Sequence, residues 1–342
     1  MTELRRDPLT GRRVYIAEDR AGRPNDFVLP GADELQDDGA ADCPFCPGHE
    51  ADTPPALLEL TGGAKSTNDG GWLVRVIPNK YPAVSAAAEA MASAEGLFLP
   101  AEPAAGGHEV IIESPEHVSA AGSLSAEQLT LVLQAYAHRL RYWAGVPGVR
   151  YAFVFKNEGY AAGASLHHVH SQLVALPAVP PEVERSLAVA GDYYQRRGES
   201  LLLSLLESEL SLGVRVVAET DALVVLSAQA ARQPYEMLIV PRRRAARFEA
   251  EDGGLYGMLA EMLLPLLGAL GRLLSPLSYN LILRTCPAGS EFEPFYQWHV
   301  ELVPRSCRLA GFEWGSGLLI NPLSPERAAD RLRDALSSGP LG

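Results

Sequence analysis

Residues 151–177, YAFVFKNEGYAAGASLHHVHSQLVALP, decide the fold. An apolar run, Tyr151–Phe155, leads into a loop carrying Asn157, Gly159, Gly163 and Ser165, and a second run follows from about Leu166 to Leu176. Short apolar runs separated by a glycine-bearing turn predict strand, loop, strand. Side chains at i and i+2 of a strand share a face, so His168, His170 and Gln172 line up on one side and His167 faces the other. Two readings of that row stand. The histidines are satisfied polar residues on the wet side of a half-buried sheet, the ordinary use of the residue. Alternatively, one imidazole is a nucleophile or ligand, the other orients it, and Gln172 donates hydrogen bonds to developing charge.

The same layout recurs at residues 279–305, YNLILRTCPAGSEFEPFYQWHVELVPR, where Gln297-Trp298-His299 takes the place of His168-Val169-His170. Two strands within Ala222–Val240 and a long helix over Glu251–Leu274 precede it. They repeat the order of the first half, with strands at Trp72–Ile77 and Gly107–Glu113 and a helix over Ala126–Trp143. Leu129, Leu131, Val132, Leu133, Tyr136, Leu140 and Trp143 give that helix its apolar spacing, and Ser125 is available as its N-cap. The chain therefore reads as two copies of one α+β unit, mostly antiparallel, over residues 1–185 and 186–342. The second copy lacks the paired histidines, which places the chemistry in the first.

A second cluster lies upstream, in ADCPFCPGHE (residues 41–50). Thiolates two residues apart can reach one tetrahedral Zn²⁺. A redox pair would sit at the start of a helix after a strand, and the proline- and glycine-rich surroundings do not support that. Two further ligands must come from His49, His108, His117, His167, His168 and His170. Arg20 and Arg23 stand three apart in EDRAGRPNDF, and their spacing favours a solvated pair over a phosphate clamp. Asn79 and Lys80 lie at the exit of the Trp72–Ile77 strand. Residues 31–42 read as an exposed acidic loop, and Ala86–Ala101 as an alanine-rich stretch of low pattern.

A net charge of −13 argues against a nucleic-acid-coating or membrane-surface role, which needs a basic face. No apolar run approaches the roughly 18–20 residues of a spanning helix, and the first residues lack a signal-peptide pattern. With four cysteines, Cys43, Cys46, Cys286 and Cys307, the chain fits a reducing compartment, the cytoplasm.

Six segments in order carry a resemblance: DPLTGRRVYIAEDRAGRP (7–24), CPFC (43–46), IPNKYPAV (77–84), SPEH (114–117), KNEGYAAGASLHHVHSQ (156–172) and AGFEWGSGLLINPLSPERAADRLR (310–333). Together they resemble the galactose-1-phosphate uridylyltransferase family of the histidine-triad superfamily, over nearly the whole length. The resemblance implies duplicated histidine-triad-like halves around an extended, mostly antiparallel sheet with flanking helices, and a homodimer. It also implies ping-pong nucleotidyl transfer through a covalent nucleotidyl-histidine. By position, His170 matches the nucleophile and Gln172 the residue that hydrogen-bonds the transferred phosphoryl. Cys43, Cys46, His117 and His168 match a structural zinc site, one Zn²⁺ per chain. Asn157 and Ser165 match phosphate contacts, and Arg20 and Arg23 the arginines near the nucleotide-sugar phosphates. Phe45 and Asn79 match base and ribose contacts. Glu313, with Phe312 beside it, matches a hexose ligand contributed across the dimer interface.

Two departures bear on the metal content. Gln297 stands where many members have the first histidine of a second His-x-His pair, and Arg244 where a histidine is often found, so a second metal site is not expected. Lys80 replaces an acidic residue that some members place after the base-contacting asparagine. The implied reaction is UDP-glucose plus galactose 1-phosphate giving UDP-galactose plus glucose 1-phosphate. An ADP-sugar phosphorylase using phosphate and a specialised sugar-1-phosphate nucleotidylyltransferase are alternatives. A non-catalytic, zinc-stabilised nucleotide-sugar binding protein is the alternative of another class. Partners are then a nucleotide sugar and a sugar 1-phosphate or phosphate, with neither nucleic acid nor membrane. His49, His108 and His167 carry no assigned role and read as structural or solvent-facing.

Overall fold

Apolar runs form the sheet, alternating in burial along its central strands and buried on both faces in strands to either side, and helices with one apolar stripe cover it. The structure, a computed structural model, describes residues 2–22, 39–61, 71–85, 104–289 and 291–338. Arg23, the alanine-rich stretch and most of the acidic loop lie outside the described residues.

In the first half, β1 (Glu3–Arg6), β2 (Arg13–Ile16), β3 (Leu58–Thr61), β4 (Trp72–Pro78) and β5 (Gly107–Ile112) precede α1 (Ala126–Ala144). β6 (Tyr151–Glu158) and β7 (His170–Leu176) follow, and α2 (Pro181–Arg197) and α3 (Leu201–Leu212) lead on to the strands of the second half. The second half has β8 (Val216–Glu219), β9 (Leu223–Ser227), β10 (Met237–Pro241), α4 (Gly253–Leu273), β11 (Tyr279–Arg284) and β12 (His299–Pro304). It ends with α5 (Gly311–Ser316), β13 (Leu319–Asn321) and α6 (Pro325–Ser337).

Ten strands form one antiparallel sheet in the order β3-β4-β5-β7-β6-β11-β12-β10-β9-β8. The order is a palindrome: β3 to β7 map onto β8 to β12, and the two halves meet where β6 pairs with β11, Asn157 opposite Asn280. α1 and α4 occupy matching places, and one continuous core joins them to both halves of the sheet. Ser125 caps α1 by accepting from the Gln128 N–H at 3.1 Å, and Asp252 caps α4 by accepting from Leu255 N–H at 3.1 Å.

Two expectations are corrected. β7 begins at His170, not near Leu166, because Val169 pairs with another segment: its N–H donates to Val118 at 2.8 Å and its carbonyl accepts from Glu113 at 3.2 Å. And α4, at 21 residues, is long and apolar enough by length and composition to cross a membrane. Leu259, Leu263, Leu266 and Leu270 are buried, and α4 packs against α1 and α6 as the central core helix.

β1 and β2 leave their own half. β13 pairs in parallel with β2, with Leu319 opposite Val14, and the three strands form a separate small sheet. Arg5 makes a two-pronged contact with Glu326 of α6 at 2.9 and 3.0 Å, and Arg215 reaches the same carboxylate at 2.7 Å. Burial alone raises the Glu326 carboxyl, but the hydrogen bonds from Arg5 and Arg215 bring it down to about 2. A depressed folded-state value stabilises above the ordinary carboxylate range and loses that contribution as pH falls towards 2. Glu326→Gln is expected to cost about 1 kcal/mol at pH 7 after solvent screening, roughly 2–4 °C in Tm. The gap from wild type should close as melts are repeated from pH 4.5 down to 2; a gap independent of pH would show that the ion pair is not its source.

Candidate active site

Cys43 and Cys46 lie on a tight turn in which Cys46 N–H donates to the Cys43 carbonyl at 3.2 Å. His49 closes the turn, its Nδ1 donating to the same carbonyl at 2.7 Å. His117, on the segment after β5, and His168, just before β7, complete a quartet whose ligand atoms all lie within 4.8 Å of one another. Cys43 Sγ stands 3.5 Å from His168 Nδ1, and Cys46 Sγ stands 3.3 Å from His117 Nδ1 and 3.6 Å from His168 Nδ1. Tetrahedral bonds of ~2.3 Å to sulfur and ~2.0–2.1 Å to nitrogen place S and N ligands about 3.5 Å apart, so the four fit a metal ion. His168 Nε2 donates to the Ser114 carbonyl at 2.8 Å, which fixes the tautomer and turns Nδ1 towards the thiols. Burial pushes the His168 imidazole down to about 4, against the pull of that carbonyl, and so keeps it a neutral ligand. Four protein ligands leave no open position, the mark of a structural metal.

His170 opens β7 two residues on. It is buried, and its Nδ1 lies 2.8 Å from the His168 carbonyl. A carbonyl only accepts, so Nδ1 carries the proton and Nε2 the lone pair. Burial, with Lys156 nearby, lowers its pKa and favours the neutral, nucleophilic ring. The Phe45 ring stands edge-on to His170 at 5.4 Å and to His168 at 6.0 Å, packing the quartet against His170.

Beneath β7 a buried network holds the strand in place. Lys156 donates to the His170 carbonyl at 3.1 Å and to Glu113 at 2.9 Å; Glu113 also accepts from Tyr136 at 2.8 Å and from Ser171. Burial alone raises the Glu113 carboxyl, and Lys156 with these donors more than offsets it, leaving it below the usual range.

Gln172 follows His170 on the same face of β7, and its Oε1 lies 2.8 Å from Nε2 of His108 on β5. Asn79, at the end of β4, reaches the same nitrogen at 3.2 Å. Asn157 sits at the end of β6 with its Oδ1 accepting from Asn280 at 2.8 Å. Asn280 also donates to the Ala162 carbonyl at 3.0 Å, so it ties the β6–β7 loop to the second half. Gly159 starts that loop at φ 80°, where an added Cβ would strike Ser278. Ser165 is exposed on the same loop.

The remaining candidates lie on the layer around the small sheet. Arg20 is half-buried in a short 3-10 turn, Glu18–Gly22, directly after β2. Phe312 is exposed on α5, 6.3 Å from the Tyr15 ring. Glu313 accepts from Ala310 N–H at 2.9 Å and so caps its own helix. The structure thus brings Cys43, Phe45, Cys46, Asn79, His117, His168, His170 and Gln172 into one contiguous cluster. It shows no contact between that cluster and Arg20, Phe312 or Glu313 among the described residues. The residue reading named His49 and His108 without giving them a role, and it passed over Lys156 and Asn280, whose contacts depend on neighbouring strands.

A family model described as galactose-1-phosphate uridyl transferase, N-terminal domain, matches residues 1–180. The chain belongs to this family. The curated ADP-glucose phosphorylase of Arabidopsis thaliana is 32% identical over 335 residues, 97% of this chain and 92% of that protein. The galactose-1-phosphate uridylyltransferase of Thermotoga maritima is 26% identical over 344 residues, 98% of each. Among solved structures, an ADP-glucose phosphorylase from Arabidopsis thaliana with bound ADP-glucose superposes with a TM-score of 0.81, covering 98% of this chain and 99% of that one. A uridylyltransferase structure at 29% identity gives 0.74, covering 99% of each. The protein is an enzyme of the nucleotidyltransferase class.

Within this uridylyltransferase-family sheet, the second half repeats the geometry of the first with different residues. His299 opens β12 as His170 opens β7, and its Nδ1 donates to the Gln297 carbonyl at 3.1 Å. Gln297 is committed to the backbone: it accepts from Ala245 at 2.9 Å and donates to Pro241 at 3.1 Å and Arg243 at 2.9 Å. Glu301 takes the place of Gln172 and binds Arg284 at 2.7 Å and Arg232 at 2.6 Å. Buried between two guanidiniums, its carboxyl is held well below the usual range, against the pull of burial. An ion-pair cluster occupies the second copy of the site.

Proposed function

We propose that this enzyme transfers a nucleotidyl group by a ping-pong route through Nε2 of His170. The observation that carries the reading is the Nδ1–H bond from His170 to the carbonyl of His168, which leaves the other ring nitrogen as nucleophile on the face shared with Gln172. Nε2 attacks the α-phosphorus of a nucleoside diphosphate hexose; the N–P bond forms as the P–O bond to the departing hexose 1-phosphate breaks. The acceptor's phosphate oxygen then attacks the same phosphorus and the imidazole regains its lone pair. Gln172, Asn157 and Ser165 donate to the phosphoryl oxygens, and Arg20 and Arg23 hold the departing phosphate. Phe45 and Asn79 meet the base and ribose.

The metal of the Cys43, Cys46, His117 and His168 quartet is one structural zinc per chain. It fixes the loop that carries the His168 carbonyl. The halves, 1–185 and 186–342, act in a homodimer in which Glu313 and Phe312 of one chain complete the sugar site of the other. The CxxC pair, read as metal ligands and not as part of a disulfide scaffold, suits the reducing cytoplasm.

The first substrate reading is uridylyl exchange between UDP-glucose and galactose 1-phosphate. The second is adenylyl transfer from ADP-glucose to phosphate, favoured by the 32% identity and TM-score of 0.81 to a plant ADP-glucose phosphorylase. Intact-protein mass spectrometry after mixing with UDP-glucose, ADP-glucose or GDP-glucose, without acceptor, separates them. A uridylyl or adenylyl mass increment on His170 is expected, and the nucleotide that labels names the donor. No increment with any donor would overturn covalent transfer and leave a binding protein.

A further inference from the structure

We propose that His108 is a positioning residue of the transfer site: its Nε2–H holds the Gln172 amide with both N–H groups turned towards the transferring phosphoryl. The proposal rests on the nucleotidyl-transfer reading above. β5 and β7 pair with Val110 opposite Gln172 and His108 opposite Val174, so His108 lies diagonally across from Gln172 on the same face.

The backbone N–H of Ala83 donates to His108 Nδ1 at 3.1 Å. A backbone N–H cannot accept, so Nδ1 is unprotonated and the ring proton sits on Nε2. That proton is donated to Gln172 Oε1 at 2.8 Å. With its oxygen held by His108, the Gln172 amide is fixed in one of its two orientations, and its NH₂ end is left for a ligand. The flipped amide would present oxygen to an anionic phosphoryl and repel it.

Asn79 is arranged in the same sense. Its Oδ1 accepts from Tyr81 N–H at 2.8 Å and its own N–H donates to the His108 carbonyl at 2.8 Å. Its Nδ2 lies 3.2 Å from His108 Nε2, which already carries a proton and cannot accept. Two side-chain amides thus have their oxygen ends satisfied by protein donors, which turns the N–H end of Gln172 to the phosphoryl oxygens and that of Asn79 to the ribose.

The test measures the single-turnover rate of His170 labelling with whichever of UDP-glucose and ADP-glucose labels the wild type. His108→Ala is expected to slow labelling about 10–100-fold while the Kd for the nucleotide sugar changes less than about threefold. His108→Gln, whose amide can place an N–H at similar reach, should recover most of the rate. Adding His108→Ala to Gln172→Ala should slow labelling no further than Gln172→Ala alone, since both act through one amide. Wild-type labelling in His108→Ala, or a double variant showing the product of both losses, would overturn the proposal. So would a large drop in melting temperature in both His108 variants, which would mark a packing residue. A wild type that takes no label fails earlier and overturns the transfer reading itself.

Discussion

Replacing His170 with asparagine or alanine is expected to lower nucleotidyl transfer about 10⁴–10⁶-fold and to eliminate the covalent adduct, while metal content stays unchanged. On the proposed route Nε2 is the atom to which phosphorus bonds, so the effect should be this large. Asparagine is the sharper variant. Its amide N–H lies where Nδ1–H lies, so it can keep the 2.8 Å bond to the His168 carbonyl while removing the nucleophile. Gln172→Ala, which removes a donor and leaves the nucleophile, should cost less, on the order of 10²–10³. Stopped assays with radiolabelled nucleotide sugar measure all three. Turnover in His170→Asn within tenfold of wild type would rule out a covalent route through this residue.

The second large effect concerns the metal. Cys43→Ser with Cys46→Ser removes both thiols from the quartet, and elemental analysis should find about one zinc per wild-type chain and none in the variant. A structural metal contributes its binding free energy to folding. This chain has a large apolar core of its own, so the expected loss is roughly 3–5 kcal/mol, about 10 °C in Tm, and not complete unfolding. The loss should be felt in catalysis too. The residue whose Nδ1 faces the thiols is the residue whose carbonyl orients His170, so the variant should transfer more slowly even at temperatures where it is folded. Wild-type protein that is metal-free yet melts at the same temperature would overturn the zinc assignment.

What the sequence made legible was local. α1 and its Ser125 cap, the strands at 72–78 and 107–112, and the repetition of the His-bearing unit are all written in adjacent residues, in apolar period and turn chemistry. The α+β class and antiparallel sheet followed from them. The start of β7 was not legible, because Val169 takes its hydrogen bonds from residues more than fifty positions earlier. The apolar length of α4 was underread because Glu261, Pro265 and several glycines interrupt the run, while its leucines still cover the buried face. The link of His108 to Gln172 was hidden without the β5–β7 register that sets the two diagonal to each other. The docking of β1 and β2 on β13 was equally hidden: a four-residue strand carries no mark of a partner three hundred positions away.

That last pairing bears on how the enzyme is made. During synthesis the half that carries the cysteine–histidine quartet leaves the ribosome with β3 to β7 complete, and domains fold as they emerge. The first hairpin has no such option, since β13 and Glu326 of α6 are translated about three hundred residues after it. The turn that carries Arg20, directly after β2, therefore gains its anchor only once the second half has been made. A polypeptide that stops before β13 keeps the residues of the quartet and of β7 but lacks the anchor for β1 and β2. Segments far apart in the sequence are joined in one small sheet and closed by a single carboxylate between two arginines.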